Sequence, residues 1–230
     1  MVIFLEKSPC LFISQPMKII LNQFIPNPLS ELDSGDSAIW RHEHLTINPG
    51  SVNSIISESG KGKTSLLLSI YGIRKDYEGE ILFDNRNIST FTAGDWSEWR
   101  QKKLSTVFQS LKLFPEISAL ENIQLKNQLQ NHKSKAEIND MLSRLNMADF
   151  ANQSAGNLSF GQQQRIAIIR ALCQPFSVLL LDEPFSHLDK QNAQNAWELI
   201  LEESKQQQAQ IIITGLSETS FIQANQTFYI

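Results

Sequence analysis

Eight consecutive residues, Ser57-Glu58-Ser59-Gly60-Lys61-Gly62-Lys63-Thr64, set two glycines, two lysines and a terminal hydroxyl between an apolar run ending at Ile56 and the apolar triplet Leu66-Leu67-Leu68. Strand, loop, helix is the natural reading of that order. A loop of this kind turns successive main-chain N–H groups inward, so a phosphate rests on the positive end of the following helix. Gly60 and Gly62 allow the main chain to come close, and Ser59, Gly60, Lys61, Gly62, Lys63, Thr64 and Ser65 form the candidate phosphate cradle. Lys63 would supply a point charge to the outermost phosphate, and Thr64 a hydroxyl to Mg²⁺. One residue departs from the strict pattern G-x-x-x-x-G-K-[ST], because Ser57 occupies the first glycine position. If that position needs a positive φ, the side chain costs roughly 1–2 kcal/mol.

A second constellation lies far along the chain. Val178-Leu179-Leu180-Leu181 is a continuous apolar run of the kind buried in a parallel sheet, and it ends in Asp182-Glu183-Pro184. Two adjacent carboxylates at the C-terminal end of such a strand stand where ligands bind in open α/β sheets. Asp182 would hold Mg²⁺, while Glu183 could polarise the water that attacks a terminal phosphate.

The elements that must position these groups alternate between strand and helix. Lys18 to Phe24, Leu45 to Ile47 and Val52 to Ile56 read as strands, with a loop from Pro26 to Asp36 and a turn at Asn48-Pro49-Gly50. The helix from Thr64 should stop near Gly72. Gly79 to Leu82 with Asp84-Asn85 then looks like a hairpin of a small antiparallel layer. Trp96 and Trp99 read as packing residues near the start of a helix. From Gln109 to about Asn157 the chain reads as helical, and capping boxes at Ser118/Glu121, Ser134/Glu137 and Ser159/Gln162 mark helix starts. Arg165 to Leu172 has apolar residues at helical spacing, as does the segment from Lys190 with Ala193, Trp197, Ile200 and Leu201; Gln210 to Thr214 is a further apolar strand.

Bulk composition fits one sizeable domain: 230 residues with 41% hydrophobic content can bury a real core. Lys+Arg 20 against Asp+Glu 24 gives a net charge of −4 with no basic block, so nucleotide rather than polynucleotide is the expected anion. Cys10 and Cys173 lie far apart, which fits a reducing compartment and structural thiols. No apolar run reaches the roughly 20 residues of a membrane span, so any membrane role needs a partner. Residues 1–16 are expected to be a disordered or misassigned N-terminal extension, with translation starting at Met17 and one domain over 17–230.

Five ordered elements together resemble the ATP-binding subunit of an ATP-binding cassette (ABC) transporter over about residues 17–230. They are the phosphate loop, Val107-Phe108-Gln109-Ser110, the signature Leu158-Ser159-Phe160-Gly161-Gln162, Leu181-Asp182-Glu183-Pro184, and Ser186-His187-Leu188-Asp189. The resemblance implies a P-loop NTPase (RecA-like) α/β core with a small antiparallel β layer and a helical signature lobe at about 110–160. It implies ATP and Mg²⁺ as ligands, Gln109 as a catalytic sensor and metal contact beside Glu183, and Thr64 and Asp182 at the metal. It also implies that Ser159, Gly161 and Gln162 complete the pocket of a second subunit, so that two copies sandwich two nucleotides. Asp189 would link the pockets, with His187 as a spacer. The implied partners are a second ATP-binding subunit, in a homodimer, and an integral membrane permease on the cytoplasmic side of the cell membrane, with no nucleic acid. Leu111 to Ile123 is most similar to subunits of the lipoprotein-release and macrolide-export type.

Three departures from the family pattern qualify that expectation. Phe160 stands where glycine is usual. Gly215 occupies the place of a histidine that contacts the terminal phosphate in relatives. The aromatic ring that stacks on adenine falls by spacing near Ser34, with Phe24 and Trp40 the nearest rings. Losing a stack of this kind costs on the order of 1 kcal/mol, whereas losing a transition-state donor costs roughly 100-fold in rate. The expectation is slow ATP hydrolysis with nucleotide-driven dimerisation retained; the alternative is a hydrolysis-impaired switch or the degenerate half of a heterodimer.

Overall fold

The computed structural model describes residues 17–30 and 37–230. The expectations for residues 1–16 and for Ser34 lie outside those residues. Among the described residues there are two sheets. The smaller is antiparallel, in the order β2-β1-β4-β5, built from β1 (Ile19–Pro26), β2 (Leu45–Ile47), β4 (Tyr77–Phe83) and β5 (Arg86–Asn87). The larger is parallel, in the order β6-β7-β8-β3-β9, built from β3 (Val52–Ile56), β6 (Leu104–Val107), β7 (Val178–Asp182), β8 (Gln210–Gly215) and β9 (Gln226–Tyr229).

The parallel sheet follows from its composition. Val178 to Leu181 is buried on both faces, as a central strand under helices must be, and full burial of each such side chain contributes about 1.5–3 kcal/mol. Register then aligns the strand ends that matter. Val107 pairs with Leu181, Asp182 with Thr214, and Ile56 with Gly215. The segments that leave β6, β7, β8 and β3 therefore emerge along one edge, carrying Gln109, Glu183, Gly215 and the phosphate loop.

The antiparallel layer is closed by the two-residue turn Asp84-Asn85, where Asp84 takes a positive φ of 55°. Gly79 sits beside a bulge of β1; a Cβ there would meet the Asn22 and Gln23 carbonyls at 2.4 Å, and φ is +82°. Trp96 and Trp99 lie in α3 (Ala93–Lys102) and pack with Phe83 and Phe91, Trp99 stacking on Phe83 at 5.0 Å, as the sequence predicts.

The other α-helices of the described residues are α1 (Asn27–Ser30), α2 (Lys63–Ile70), α4 (Ala119–Asn127), α5 (Lys135–Arg144), α6 (Phe160–Leu172) and α7 (Lys190–Gln206). All three predicted capping boxes form, with Ser118, Ser134 and Ser159 accepting from the N–H groups of Glu121, Glu137 and Gln162. The segment 109–157 is less helical than its composition suggests. Residues 110–117 form a loop in which Leu111 and Lys112 both take positive φ, a conformation that no helix continues, and Arg170 braces it by donating to both their carbonyls. Within the lobe, Asn122 is fully buried and clamps both backbone groups of Phe114, accepting from its N–H at 2.8 Å and donating to its carbonyl at 3.0 Å. A buried ion pair, Lys133 to Glu203 at 2.7 Å, ties the lobe to α7.

Candidate functional site

Around the phosphate loop, helix α2 begins at Lys63 behind Gly62, whose φ of 96° is a left-handed conformation. A Cβ at Gly62 would lie 2.4 Å from Leu29 Cδ1 and 3.0 Å from the Trp40 ring, so a side chain here would displace the leucine tip, and it is the left-handed conformation that calls for glycine. Gly60 takes φ 82° in open surroundings. Ser57 has no positive φ, so the serine in the first position of the motif adds no backbone strain and the cost anticipated from the sequence does not arise. Its N–H donates to the Gly215 carbonyl at 3.3 Å, tying the loop to the end of β8.

Lys63 is buried. Its ammonium donates to the Ser57 and Glu58 carbonyls at 2.7 and 2.9 Å and lies 3.4 Å from Glu183 Oε1. Thr64 donates its hydroxyl to Asp182 Oδ2 at 2.8 Å. Gln109 donates from Nε2 to Glu183 Oε2 at 3.4 Å. Thus the two constellations, 118 residues apart at Thr64 and Asp182, meet in one place. Burial pushes the Asp182 carboxyl above its ordinary range; the Thr64 and Thr214 hydroxyls and the Lys63 charge oppose that rise, and the neighbouring Glu183 adds to it. Pro28, Leu29, Ser59, Gly60, Gly62, Lys63, Thr64, Ser65, Gln109 and Glu183 line a cavity of about 230 Å³ over the loop. Lys61 is exposed, and Ser65 accepts from the Arg74 guanidinium at 2.7 Å.

The donor set at this point suits a hard cation. A threonine hydroxyl, a carboxylate and a glutamine amide supply oxygen ligands, and Mg²⁺ is commonly held by one or two carboxylates together with substrate phosphates.

The signature residues lie elsewhere. None of them lines the cavity over the phosphate loop of their own chain. Ser159 is exposed at the start of α6, and its N–H is taken by Gln162 Oε1 at 2.8 Å. The Gln162 Oε1 is thus used in the cap, while its Nε2 amide makes no hydrogen bond among the described residues. Gly161 packs against the loop that follows β7: a Cβ there would lie 2.8 Å from the His187 carbonyl. Gln164, buried in α6, donates to the Glu183 carbonyl at 3.2 Å and accepts from the His187 N–H at 3.2 Å. The His187 ring lies 4.2 Å from that of Phe160, which remains 44% exposed. Asp189 caps α7 by accepting from the Asn192 N–H.

Both aromatic candidates for adenine stacking are buried. Phe24 is wholly enclosed in β1 and Trp40 packs against it at 5.9 Å while covering Gly62. Pro28 and Leu29 instead give the cavity its apolar wall, a role that no motif signals. Gln164 and Thr214 were likewise missed from the sequence. Their signal is positional only, one turn into the signature helix and on the strand beside the carboxylates.

The family model described as ABC transporter matches residues 41–186. The chain belongs to the ABC transporter family. An uncharacterized ABC transporter ATP-binding protein of Mycobacterium tuberculosis is 32% identical over 74% of this chain and 53% of its own length. The lipoprotein-releasing system ATP-binding protein LolD of Buchnera aphidicola is 35% identical over 69% of this chain and 70% of its own. Across the relatives matched first, this ABC chain spans about half of their length. Among solved structures, the dimeric post-hydrolysis state of the ATP-binding cassette MJ0796 bound to ADP and Pi superposes with a TM-score of 0.68 at 27% identity, covering 86% of this chain and 88% of that one. The ABC cassette fold expected from the motifs, with its antiparallel layer and parallel P-loop core, is the fold observed. No helix among the described residues is long and apolar enough to cross a membrane.

Proposed function

We propose that this cassette binds and hydrolyses ATP with Mg²⁺, and that two copies closing head to tail around two nucleotides drive a separate membrane permease from the cytoplasmic side. The observation that carries the reading is the meeting of Lys63, Thr64, Gln109, Asp182 and Glu183 at the carboxyl ends of β3, β6 and β7. Thr64, Asp182 and Gln109 would hold Mg²⁺, which when bound offsets charge on the phosphate oxygens and orients them. Lys63 brings a fixed positive charge to the loop. Glu183, 3.4 Å from both Lys63 and Gln109, is the group to take a proton from an attacking water, with the Gln109 amide orienting it.

The exposed tip of α6, with the Ser159 hydroxyl and the first-turn N–H groups, is the surface we assign to the nucleotide of the opposite copy. The likeness to a dimeric cassette supports that assignment. The likeness to a LolD subunit supports a permease of the lipoprotein-release type. Purified full-length chain with ATP and Mg²⁺ is expected to hydrolyse slowly, and Glu183→Gln to cut turnover by about 10²–10⁴-fold while trapping a dimer visible by light scattering. A monomer under all nucleotide conditions would refute the reading.

Gly215 favours a second reading, a nucleotide-gated switch with negligible turnover. In that case wild type and Glu183→Gln would hydrolyse ATP at the same background rate, and both would dimerise.

A further inference from the structure

Thr214 is buried in β8, directly across the register from Asp182. Its single hydroxyl makes two contacts with the reactive pair. It donates to Asp182 Oδ1 at 2.9 Å and accepts from the Glu183 N–H at 3.1 Å. A longer contact to the Leu181 carbonyl, at 3.4 Å, competes for the same hydrogen. Asp182 is therefore gripped through both oxygens by two threonines, Thr64 on Oδ2 and Thr214 on Oδ1.

The two grips differ in kind. Thr64 belongs to the phosphate loop and is also assigned to the cation, so its hydroxyl has a second duty. Thr214 belongs to the sheet, and its two shorter contacts are both with the acidic pair. The second contact matters as much, because β7 ends at Asp182 and Glu183 turns out of the strand with a φ of +49°, a conformation that non-glycine residues rarely adopt. The N–H at that turn is satisfied by the Thr214 hydroxyl.

We infer that Thr214 is a positioning residue, whose hydroxyl aims the Asp182 carboxylate and locks the backbone from which the Glu183 side chain departs. The inference rests on the proposed ATP hydrolysis at this site and adds to it the group that holds its two acids in place. Valine has the shape of threonine but can neither donate nor accept. Serine can do both.

The test compares wild type, Thr214→Val and Thr214→Ser as full-length protein. A fluorescent ATP analogue is titrated with EDTA present and again at increasing Mg²⁺, and steady-state turnover is measured alongside. Thr214→Val should bind the metal-free nucleotide as wild type does, yet need about 10–100-fold more Mg²⁺ for tight binding and lose kcat over the same range, as losses behind a metal ligand do. KM for ATP at saturating Mg²⁺ should stay near the wild-type value, and Thr214→Ser should restore both readouts. Equal Mg²⁺ requirement and kcat in wild type and Thr214→Val would overturn the inference, as would Thr214→Ser failing as badly as the valine variant. Should Thr214→Val not fold by thermal melting, Thr214→Ala against Thr214→Ser carries the same comparison. Wild type that binds no nucleotide with or without Mg²⁺ would overturn the proposed function itself.

Discussion

Replacing Gly215 by histidine tests whether the missing donor, and not some other feature of the chain, limits turnover. The backbone permits the change. Gly215 has no positive φ, so a side chain suffers no left-handed strain. A Cβ would lie 3.2 Å from the Ser217 carbonyl, which must give by a few tenths of an ångström, and 3.6 Å from Ile56 Cδ1, an ordinary contact. Beyond it lies a cavity of about 200 Å³ lined by Glu183, Ser186, Thr214 and Ser217 among others, so an imidazole has room beside the Glu183 carboxylate. A preorganised donor to developing charge is worth about 10²–10³ in kcat, roughly 2.7–4 kcal/mol. Even if a misaligned ring forfeits about 1.4 kcal/mol, tenfold of that gain, kcat should rise at least about tenfold. Steady-state phosphate release from purified wild type and Gly215→His, each checked by thermal melting and nucleotide binding, gives the answer. A folded, nucleotide-binding Gly215→His with unchanged kcat would refute the reasoning and move attention to the switch reading.

Three further outcomes are expected. Asp182→Asn should stabilise the nucleotide-free protein at neutral pH. The raised Asp182 pKa means the folded chain holds this proton more tightly than the unfolded chain, so its contribution is full below the ordinary 3.8 and is lost as pH rises through the folded value; thermal melts against pH should flatten in the variant, while Mg²⁺-dependent nucleotide binding disappears. Gly62→Ala should lose about 1–2 kcal/mol to left-handed strain, the Leu29 tip moving aside for the added methyl, with ATP binding abolished in an equilibrium titration. Phe114→Asp should leave thermal stability within about 0.5 kcal/mol of wild type, because this ring is 56% exposed on a loop clamped by Asn122; if this exposed loop of the helical lobe is where the proposed permease docks, the variant should lose co-purification with it.

Much of the fold is legible because local chemistry and global position agree. The strands Leu45–Ile47 and Val52–Ile56 fall where expected, and every capping box found in the sequence starts a helix. The strand Leu104–Val107 was hidden because Leu-Ser-Thr-Val alternates too briefly, and its fate is decided by pairing with β7. Gln226–Tyr229 was hidden for the same reason, as an edge strand that exists by pairing with β3. At the site, Lys63, Thr64, Asp182 and Glu183 announce themselves by type and spacing. Gln164 and Thr214 do not, since a buried glutamine and a strand threonine acquire meaning only from what lies opposite them. The same holds for Ser57, whose harmlessness depends on a dihedral angle that no motif records.

The close seat of Gly161 on the His187 carbonyl complicates a common experiment. If the α6 tip served only a neighbouring molecule, mixing a Gly161 variant with a Glu183 variant would regenerate one sound composite centre and a share of the lost activity. Here any side chain at Gly161 also presses on the loop that Gln164 fastens to Glu183 in the same polypeptide. The injury is borne at home as well as abroad, and such mixtures should recover far less than half of what simple complementation allows.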